Sequence, residues 1–283
     1  MNLRDAQPLP AGWQARLELE YTAPATNRTV LSHRRHYGPL VVQKPFYPEG
    51  SGVCHSTLLH PPGGIAGGDR LELNIVAHSG AHAVITTPGA AKWYRSSGAT
   101  AEQRAELRVE RDAMLEWLPQ PGIVFNGARA QQTHRVHLGP NARYIGWEIV
   151  CLGRVARGEH FDSGEYRIST EIANESGRPW SDCGVIRAGG AVLGSPAGFA
   201  GQPVTGLFLA CGIEIERELI DRCREVAVSA PMRCGVTNLP SVLAARVIAG
   251  STEAAWHYFI ALWEIVRPAL TGRVACPPRI WQT

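Results

Sequence analysis

Three carboxylates lie in sequence surroundings that indicate a chemical role. Asp69 ends the glycine-rich segment HPPGGIAGGD, Glu116 interrupts the apolar run MLEWL, and Glu148 lies in a strand-like segment, on the face opposite the apolar side chains. A buried acid is costly without a partner, so each either faces solvent, pairs with an arginine such as Arg70 or Arg154, or lines a wet internal passage. Carboxylate and water ligands hold a divalent cation loosely, whereas clustered thiolates and imidazoles would retain it.

The histidines and cysteines lack the spacing of a structural metal site. His134 and His137 lie three residues apart in THRVHL, which puts them on opposite faces of a strand. His78 and His82 flank a Ser-Gly turn, and a hairpin there would bring them close, although solvated or hydrogen-bonded imidazoles are the favoured interpretation. The seven cysteines form no CxxC pair, and their odd number favours free thiols in a reducing compartment.

The glycine-rich segment is predicted to be an ordered turn and not a nucleotide loop. Its glycines, Gly63, Gly64, Gly67 and Gly68, are not followed by a Lys-Ser/Thr pair or by a helix pattern. Glycine is placed where the backbone needs positive φ or where another group comes close. The chain also lacks the GxSxG, HExxH and Walker sequences, so no catalytic residue is assigned.

Length and composition fit a soluble globular protein with one large domain or two small ones, and we expect residues 1–283 to form a single domain. Hydrophobic residues make up 45% of the chain and charged residues 19%, with a formal net charge of +3. The basic residues are too dispersed to predict nucleic-acid binding, and the one tight basic run, residues 33–36, is interpreted as a solvated strand end. No apolar stretch approaches the roughly 20 residues of a membrane span, and the N-terminus lacks the apolar core of a signal peptide. We therefore expect a cytoplasmic protein without a membrane segment.

Alternating apolar and polar residues dominate the chain. Segments such as RLELEY, LELNIVA and RYIGWEIVC place apolar side chains on one face and are separated by turn residues at short intervals. This pattern predicts a mainly β fold.

Residues 238–267 are predicted to form a helical pair, the exception to the β pattern. Asn238 is a good N-cap for a first helix over SVLAARVIA, Gly250 ends it, and Ser251 caps a second helix. The second helix carries an apolar stripe of Trp256, Phe259, Trp263 and Val266, and Pro268 marks its end. We expect this stripe to cover the β core in preference to binding a partner.

Four segments of similar character carry a family resemblance. They are HPPGGIAGGD, TTPGAAKWYRS, EWLPQPGIVFNGA and GWEIVCLGR, and the likeness continues through NLPSVLAARVI and RPAL. In order and approximate spacing these segments resemble the urease accessory protein UreD family, also called UreH. The resemblance covers most of the chain.

The resemblance implies a maturation chaperone and not an enzyme. Proteins of this family help to assemble the dinuclear nickel centre of urease, with UreF, the GTPase UreG and the urease apoprotein as partners in a UreD-UreF-UreG complex. The fold implied is a β-helix-like arrangement of many short strands with two helices. The family is proposed to conduct nickel, so Asp69 and Glu148 become candidates for lining a transient nickel passage, with no tightly bound cofactor.

Two other classes of function stay open at this stage. One is a metal-free interaction scaffold that binds the same partners without passing nickel. The other is a carbohydrate-active enzyme on a β-helix, which would need converging acids in an open groove, and no regular repeat supports it. Measuring nickel transfer with partner binding intact would separate the scaffold from the conduit.

Overall fold

The computed structural model describes residues 12–25, 27–212, 215–228 and 231–282. Strands dominate these residues. In chain order they are β1 (Gln14–Ala25), β2 (Arg28–Tyr37), β3 (Val41–Val42), β4 (Cys54–Leu59), β5 (Arg70–Ala77), β6 (His82–Thr86), β7 (Lys92–Trp93), β8 (Ala101–Val109), β9 (Met114–Leu118), β10 (Gly122–Val124), β11 (Arg129–Leu138), β12 (Arg143–Leu152), β13 (Glu165–Asn174), β14 (Gly177–Arg187), β15 (Val204–Cys211), β16 (Met232–Leu239) and β17 (Val242–Ala249). The helices are α1 (Ala191–Gly194), α2 (Arg217–Arg224) and α3 (Thr252–Thr271), with 3₁₀ turns at Val155–Arg157 and Arg279–Gln282.

The strands form two sheets, and the chain winds between them. The first sheet has the order β14-β13-β11-β8-β5-β1-β2, and the second has the order β16-β17-β15-β12-β9-β6-β4-β3, with β10 and β7 attached beside β12. From β4 to β13 the long strands alternate between the two sheets, and neighbours within each sheet along this stretch are parallel. The mainly β, β-helix-like fold predicted from the sequence is confirmed.

The alternating sequence segments supply the core between the sheets. On β5, Leu71, Leu73, Ile75 and Ala77 are buried, whereas the residues between them are only partly covered. Strand β12 differs because nine of its ten residues are buried. One of its faces meets the first sheet, and the other meets α3, so both faces exclude water.

The predicted first helix of the C-terminal pair is wrong. Residues 242–249 form β17, which is antiparallel to both β15 and β16, and Asn238 lies in β16 instead of capping a helix. A short apolar run fits a strand buried on both faces as well as it fits a buried helix. The consecutive residues 242–245 are all buried, and the helical interpretation did not distinguish a buried helix from a strand that is buried on both faces.

The second helix is confirmed as α3. Ser251 caps it by accepting a hydrogen bond from the Ala254 amide, and the helix continues through Pro268 to Thr271. The predicted stripe covers the β core, because Phe259, Trp263 and Val266 are fully buried and Trp256 is partly buried. The helix that packs beside α3 is α2. None of the helices within the described residues is long and apolar enough to cross a membrane.

The turn after β5 does not make a hairpin. The chain crosses there from the first sheet to the second, so His78 and His82 have different partners. His78 contacts Glu20 and Glu110, whereas His82 contacts Glu116.

Candidate functional site

Glu148 lies on β12 with its side chain between the two sheets. It is 7% exposed, and its described partners carry no permanent positive charge. The Gln132 amide donates to Glu148 Oε1 over 3.0 Å, and the Thr170 hydroxyl donates to Oε2 over 3.4 Å. The sequence correctly predicts that Glu148 lies on the face opposite Trp147, which packs against α3.

A histidine and two tyrosines extend this cluster. His134 Nδ1 lies 3.4 Å from Glu148 Oε1, and its Nε2 lies 3.1 Å from the Tyr144 hydroxyl. The Tyr166 hydroxyl donates to the oxygen of the Gln132 side chain over 2.6 Å. Glu148 is therefore the final acceptor of one series of hydrogen bonds, from Tyr166 through Gln132, and lies beside the His134 ring, which bonds to Tyr144.

The two tyrosines in this cluster are held in the neutral form. Burial raises the pKa of Tyr144 well above its ordinary value, and the nearby charge of Glu148 raises it further. The same two causes raise the pKa of Tyr166. Both hydroxyls can therefore donate hydrogen bonds throughout the physiological pH range.

Two cavities share Glu148 as a lining residue. The first, about 310 Å³, is lined by Gly63 and Gly64 of the glycine-rich segment and by Gln132, Glu148 and Val150. The second, also about 310 Å³, is lined by Thr170 and Asp182 as well as by Glu148 and Val150. Both cavities are partly open to solvent. Glu148 is thus a carboxylate that lines both cavities.

The rim of the second cavity carries a second carboxylate. Asp182 accepts a hydrogen bond from the Arg246 guanidinium over 2.8 Å, and this guanidinium also lies 5.5 Å from the centre of the Trp180 ring. The pair is partly exposed, so the two side chains can separate at modest cost.

Asp69 is not among the residues that line the two cavities at Glu148. Its carboxylate accepts hydrogen bonds from the Trp13 amide (2.8 Å) and the Ala66 amide (2.7 Å), and it is 8% exposed. These bonds fix the end of the glycine-rich turn to the start of β1. A role for Asp69 in lining a metal passage stays a prediction.

The glycines of the segment serve two different needs. Gly63 and Gly68 have φ of 71° and 95°, a region that favours glycine. Gly64 and Gly67 do not, but a Cβ on Gly64 would lie 2.3 Å from the Tyr94 ring, and one on Gly67 would lie 2.3 Å from the Ser96 hydroxyl oxygen. The turn is thus packed tightly against the segment that follows β7.

Glu116 takes part in a separate buried network that joins β9 to α3. Its carboxylate is fully buried and accepts hydrogen bonds from the Trp263 indole (2.7 Å) and the Arg267 Nε (3.0 Å to each oxygen). His82 Nε2 lies 2.7 Å from the same carboxylate. The sequence prediction of an arginine partner holds for Glu116, although the partner is Arg267.

Arg267 connects this network to the loop before β4. Its Nη2 donates to Glu49 over 2.8 Å, its Nη1 donates to the Val274 carbonyl, and His55 Nε2 lies 2.7 Å from Glu49. The side chain of Arg267 is fully buried, so both carboxylates are needed to balance the cost of its charge.

The pKa shifts follow from these contacts. Burial alone would raise the pKa of Glu49, but hydrogen bonds from His55 and Arg267 outweigh it and lower the value to about 2. Burial likewise opposes ionisation of Glu116, and the His82 hydrogen bond with the nearby positive charges lowers its pKa. Burial would lower the pKa of Arg267, yet the two glutamates raise it.

Sequence reasoning missed several members of the Glu148 cluster. The nearest signal was the alternation in THRVHL, which correctly puts His134 and His137 on opposite faces; the structure shows that His134 is the buried one. Gln132, Thr170 and Asp182 carry no comparable signal, because polar residues on a strand are typical of a solvated face. No group of three or more potential metal-ligating side chains converges within the described residues, and all seven cysteines are free thiols.

Comparison with known proteins identifies the family. Residues 14–282 match the sequence model of the UreD urease accessory protein family. The chain is 47% identical over 274 residues to urease accessory protein UreD of Dechloromonas aromatica, covering 96% of this chain and 95% of that protein. It is 48% identical to the protein of the same name from Pseudomonas fluorescens strain Pf-5 over the whole of both chains, and 41% identical to that of Nostoc sp. over 99% of this chain and 100% of the relative. The chain belongs to the UreD family of urease accessory proteins, which serve urease maturation and are not enzymes.

Proposed function

We propose that this chain acts in nickel insertion into urease, in the cytoplasm, as the member of a complex with UreF and UreG that contacts the urease apoprotein. We further propose that nickel passes through its interior beside Glu148. The observation that supports passage is the pair of cavities that share Glu148 and Val150. In this proposal an ion moves from one cavity to the other beside the Glu148 carboxylate, which lines both.

The donor chemistry around Glu148 suits a cargo that must leave again. The nearest side-chain atoms are the Gln132 amide nitrogen, the Thr170 hydroxyl oxygen and an imidazole nitrogen of His134, so the groups that could hold a cation beside the carboxylate are one hydroxyl and one imidazole. Such donors hold a divalent ion less firmly than clustered thiolates do. Asp182, on the rim of the second cavity, supplies the next carboxylate once its bond to Arg246 opens. Nickel is cargo in this scheme, and no resident cofactor is required.

The test is reconstitution of urease activity from UreG-bound nickel with purified variants. Glu148→Gln removes the charge and keeps the shape, and we expect a partial loss of activation, about twofold to tenfold, because water can replace a carboxylate oxygen. Val150→Phe enlarges the other side chain that lines both cavities and is expected to reduce activation more. Val150 is a better position for the block than Gly146, where a Cβ would lie 2.0 Å from the Tyr144 hydroxyl and disturb the cluster itself.

Matched controls separate transport from assembly. Glu106→Gln makes the same chemical change at an ion pair with Arg135 on the outer face of the first sheet, and Val155→Phe adds the same bulk at an exposed turn. Both controls should activate urease at the wild-type rate. Gel filtration must show that every variant forms the complex with UreF, UreG and apoprotein. Normal activation by both test variants would refute passage beside Glu148 and favour a metal-free scaffold.

A further inference from the structure

Strand β2 is the last strand of the first sheet and pairs with β1 on one side only. We call residues 33–37 of β2 the open edge. All five residues of the open edge are exposed, and it contains the one tight basic run of the sequence. An unpaired strand edge presents a row of backbone donors and acceptors that can pair with another chain.

Two hydrogen bonds of β1 fix the direction in which its backbone groups point. The Trp13 carbonyl accepts from the Arg70 amide over 2.8 Å, and the Tyr21 carbonyl accepts from the His78 amide over 2.9 Å. Both bonds lead toward the β5 side. Backbone groups alternate along a strand, so the odd-numbered residues of β1 face β5 and the even-numbered residues face β2.

The register then identifies the free groups of the open edge. Glu18 of β1 is opposite Arg35, so the backbone of Arg35 is directed toward β1. The neighbouring residues Arg34 and His36 therefore direct their amides and carbonyls away from the sheet. Within the described part of the chain, no backbone hydrogen bond reaches those groups. They offer the repeating donor and acceptor pattern that a further strand needs.

The acids of β1 that lie opposite the open edge, Glu18 and Glu20, form their ion pairs with Arg16 and His78. The nearby acids Glu18 and Glu72 contact Arg16, at 3.9 Å and 2.7 Å. Arg34 and Arg35 take part in none of the ion pairs found within the described residues, and both are exposed. A strand that pairs here would meet positive charge on both of its faces, since successive side chains alternate.

Exposed aromatic rings lie at the same end of the β1–β2 pair. Trp13 is 57% exposed and Tyr37 is 68% exposed. Charged residues on an edge strand can serve only to prevent aggregation, but such protection does not require exposed rings. Tryptophan, tyrosine and arginine together are the residues most enriched at the energetic centres of protein interfaces.

We propose that the open edge binds an extended, acidic segment of a partner protein by strand addition. The backbone of Arg34 and His36 supplies the pairing, and the alternating positive side chains select glutamate and aspartate over apolar or basic residues. A second copy of this chain is disfavoured as the occupant, because two open edges would place like charges opposite each other. This proposal is independent of whether nickel passes beside Glu148.

The test measures fluorescence anisotropy of the labelled peptide Ac-EVEVTVEVE-amide with the full chain. Wild-type protein is expected to bind it, and Arg34→Glu with Arg35→Glu to weaken binding about tenfold or more. The matched control is Arg104→Glu with Arg108→Glu, two exposed arginines on β8, which has a strand paired on each side. The control has the same change in net charge and should alter binding less than about twofold.

A second peptide separates strand addition from simple charge attraction. The same sequence, N-methylated at every backbone amide, keeps every charge but has no N–H group for the ladder, and should bind about tenfold more weakly or worse. The proposal is overturned if the methylated peptide or a single-stranded oligonucleotide binds as tightly, if wild-type protein binds no peptide at millimolar concentration, or if gel filtration shows a dimer that the Arg34/Arg35 variant abolishes. Circular dichroism checks folding, and Arg34→Gln with Arg35→Gln replaces the charge reversal if that variant does not fold.

Discussion

The same substitution is expected to destabilise the protein at one buried glutamate and not at the other. Glu116 faces Arg267, whose guanidinium is fully buried, and also accepts a bond from the Trp263 indole. Glu148 has only neutral amide and hydroxyl donors and one imidazole as its described partners. Replacement by glutamine keeps the size of either side chain and removes its charge.

The magnitudes follow from the partners that each substitution leaves behind. In Glu116→Gln the new NH2 group must point at another hydrogen-bond donor, either the Trp263 indole or the Arg267 guanidinium. Arg267 then keeps only Glu49 as a counter-charge. Losing one partner of a buried pair costs 3–5 kcal/mol in general, and the remaining glutamate reduces this to about 3 kcal/mol. In Glu148→Gln the amide can still accept from Gln132 and can donate to Thr170, so we expect the free energy of unfolding to stay unchanged or rise by about 1 kcal/mol.

Urea denaturation followed by tryptophan fluorescence measures both effects. Glu106→Gln, on the outer face, is the control and should change the free energy of unfolding by less than about 1 kcal/mol. The urease activation assay on the same samples should show a loss for Glu148→Gln despite its retained stability. The reasoning is refuted if Glu148→Gln destabilises the chain as much as Glu116→Gln does, because Glu148 would then have a structural and not a functional role.

Three further predictions concern packing, acid stability and thiol reactivity. Gly64→Ala should lower the free energy of unfolding by about 1–3 kcal/mol in urea titrations, because its Cβ would meet the Tyr94 ring; Gly89→Ala, with no atom within 4 Å of the added Cβ, is the control and should be nearly neutral. The pKa of Glu49 is lowered from 4.5 to about 2, so its contribution to stability is fully present above pH 4.5 and is lost as the pH falls toward 2; thermal melts across that range should show the decline, and a constant melting temperature would contradict it. Ellman's reagent should modify the exposed Cys183 and Cys234 first and leave the four buried cysteines unreacted until the chain unfolds; rapid reaction of six thiols would disprove this.

The β architecture was predictable because the alternation of apolar residues follows directly from burial on one side of a strand. LELNIVA became β5 with its apolar residues buried, as expected. The pattern does not state which strands pair, and so it suggested a hairpin at the turn after β5 where the chain in fact crosses to the other sheet. It failed again at β17, where burial on both faces removes the alternation that identifies a strand.

The candidate site was predictable only as single residues. Glu148 drew attention as an acid within a strand-like segment of alternating apolar residues, and the face it occupies follows from counting along the strand. Its partners Gln132 and Thr170 lie on β11 and β13 of the other sheet, 16 and 22 residues away, so only the packing of the two sheets brings them together. Asp69 became a candidate through the family resemblance of its glycine-rich segment. Two backbone amides donate to its carboxylate, a contact that the sequence does not reveal, and its place in a passage stays a prediction.

The positions of the two buried glutamates suggest how this fold combines a closely packed face of the second sheet, under α3, with cavities between the two sheets. Strands β9 and β12 are neighbours, and Glu116 is opposite Ile145 in their register, on the face that packs against α3. Glu148 lies three residues further along β12 and therefore on the other face, between the sheets. The ion pair and hydrogen bonds of Glu116 join α3 to the second sheet. Helix α3 then packs against the face of β12 that is opposite Glu148. This packing holds β12 in place even though the Glu148 carboxylate, which lines two cavities, has no arginine or lysine among its described partners. We therefore expect a substitution that breaks the ion pairs of Arg267 to disturb the Glu148 cluster, although Arg267 and Glu148 are not in contact.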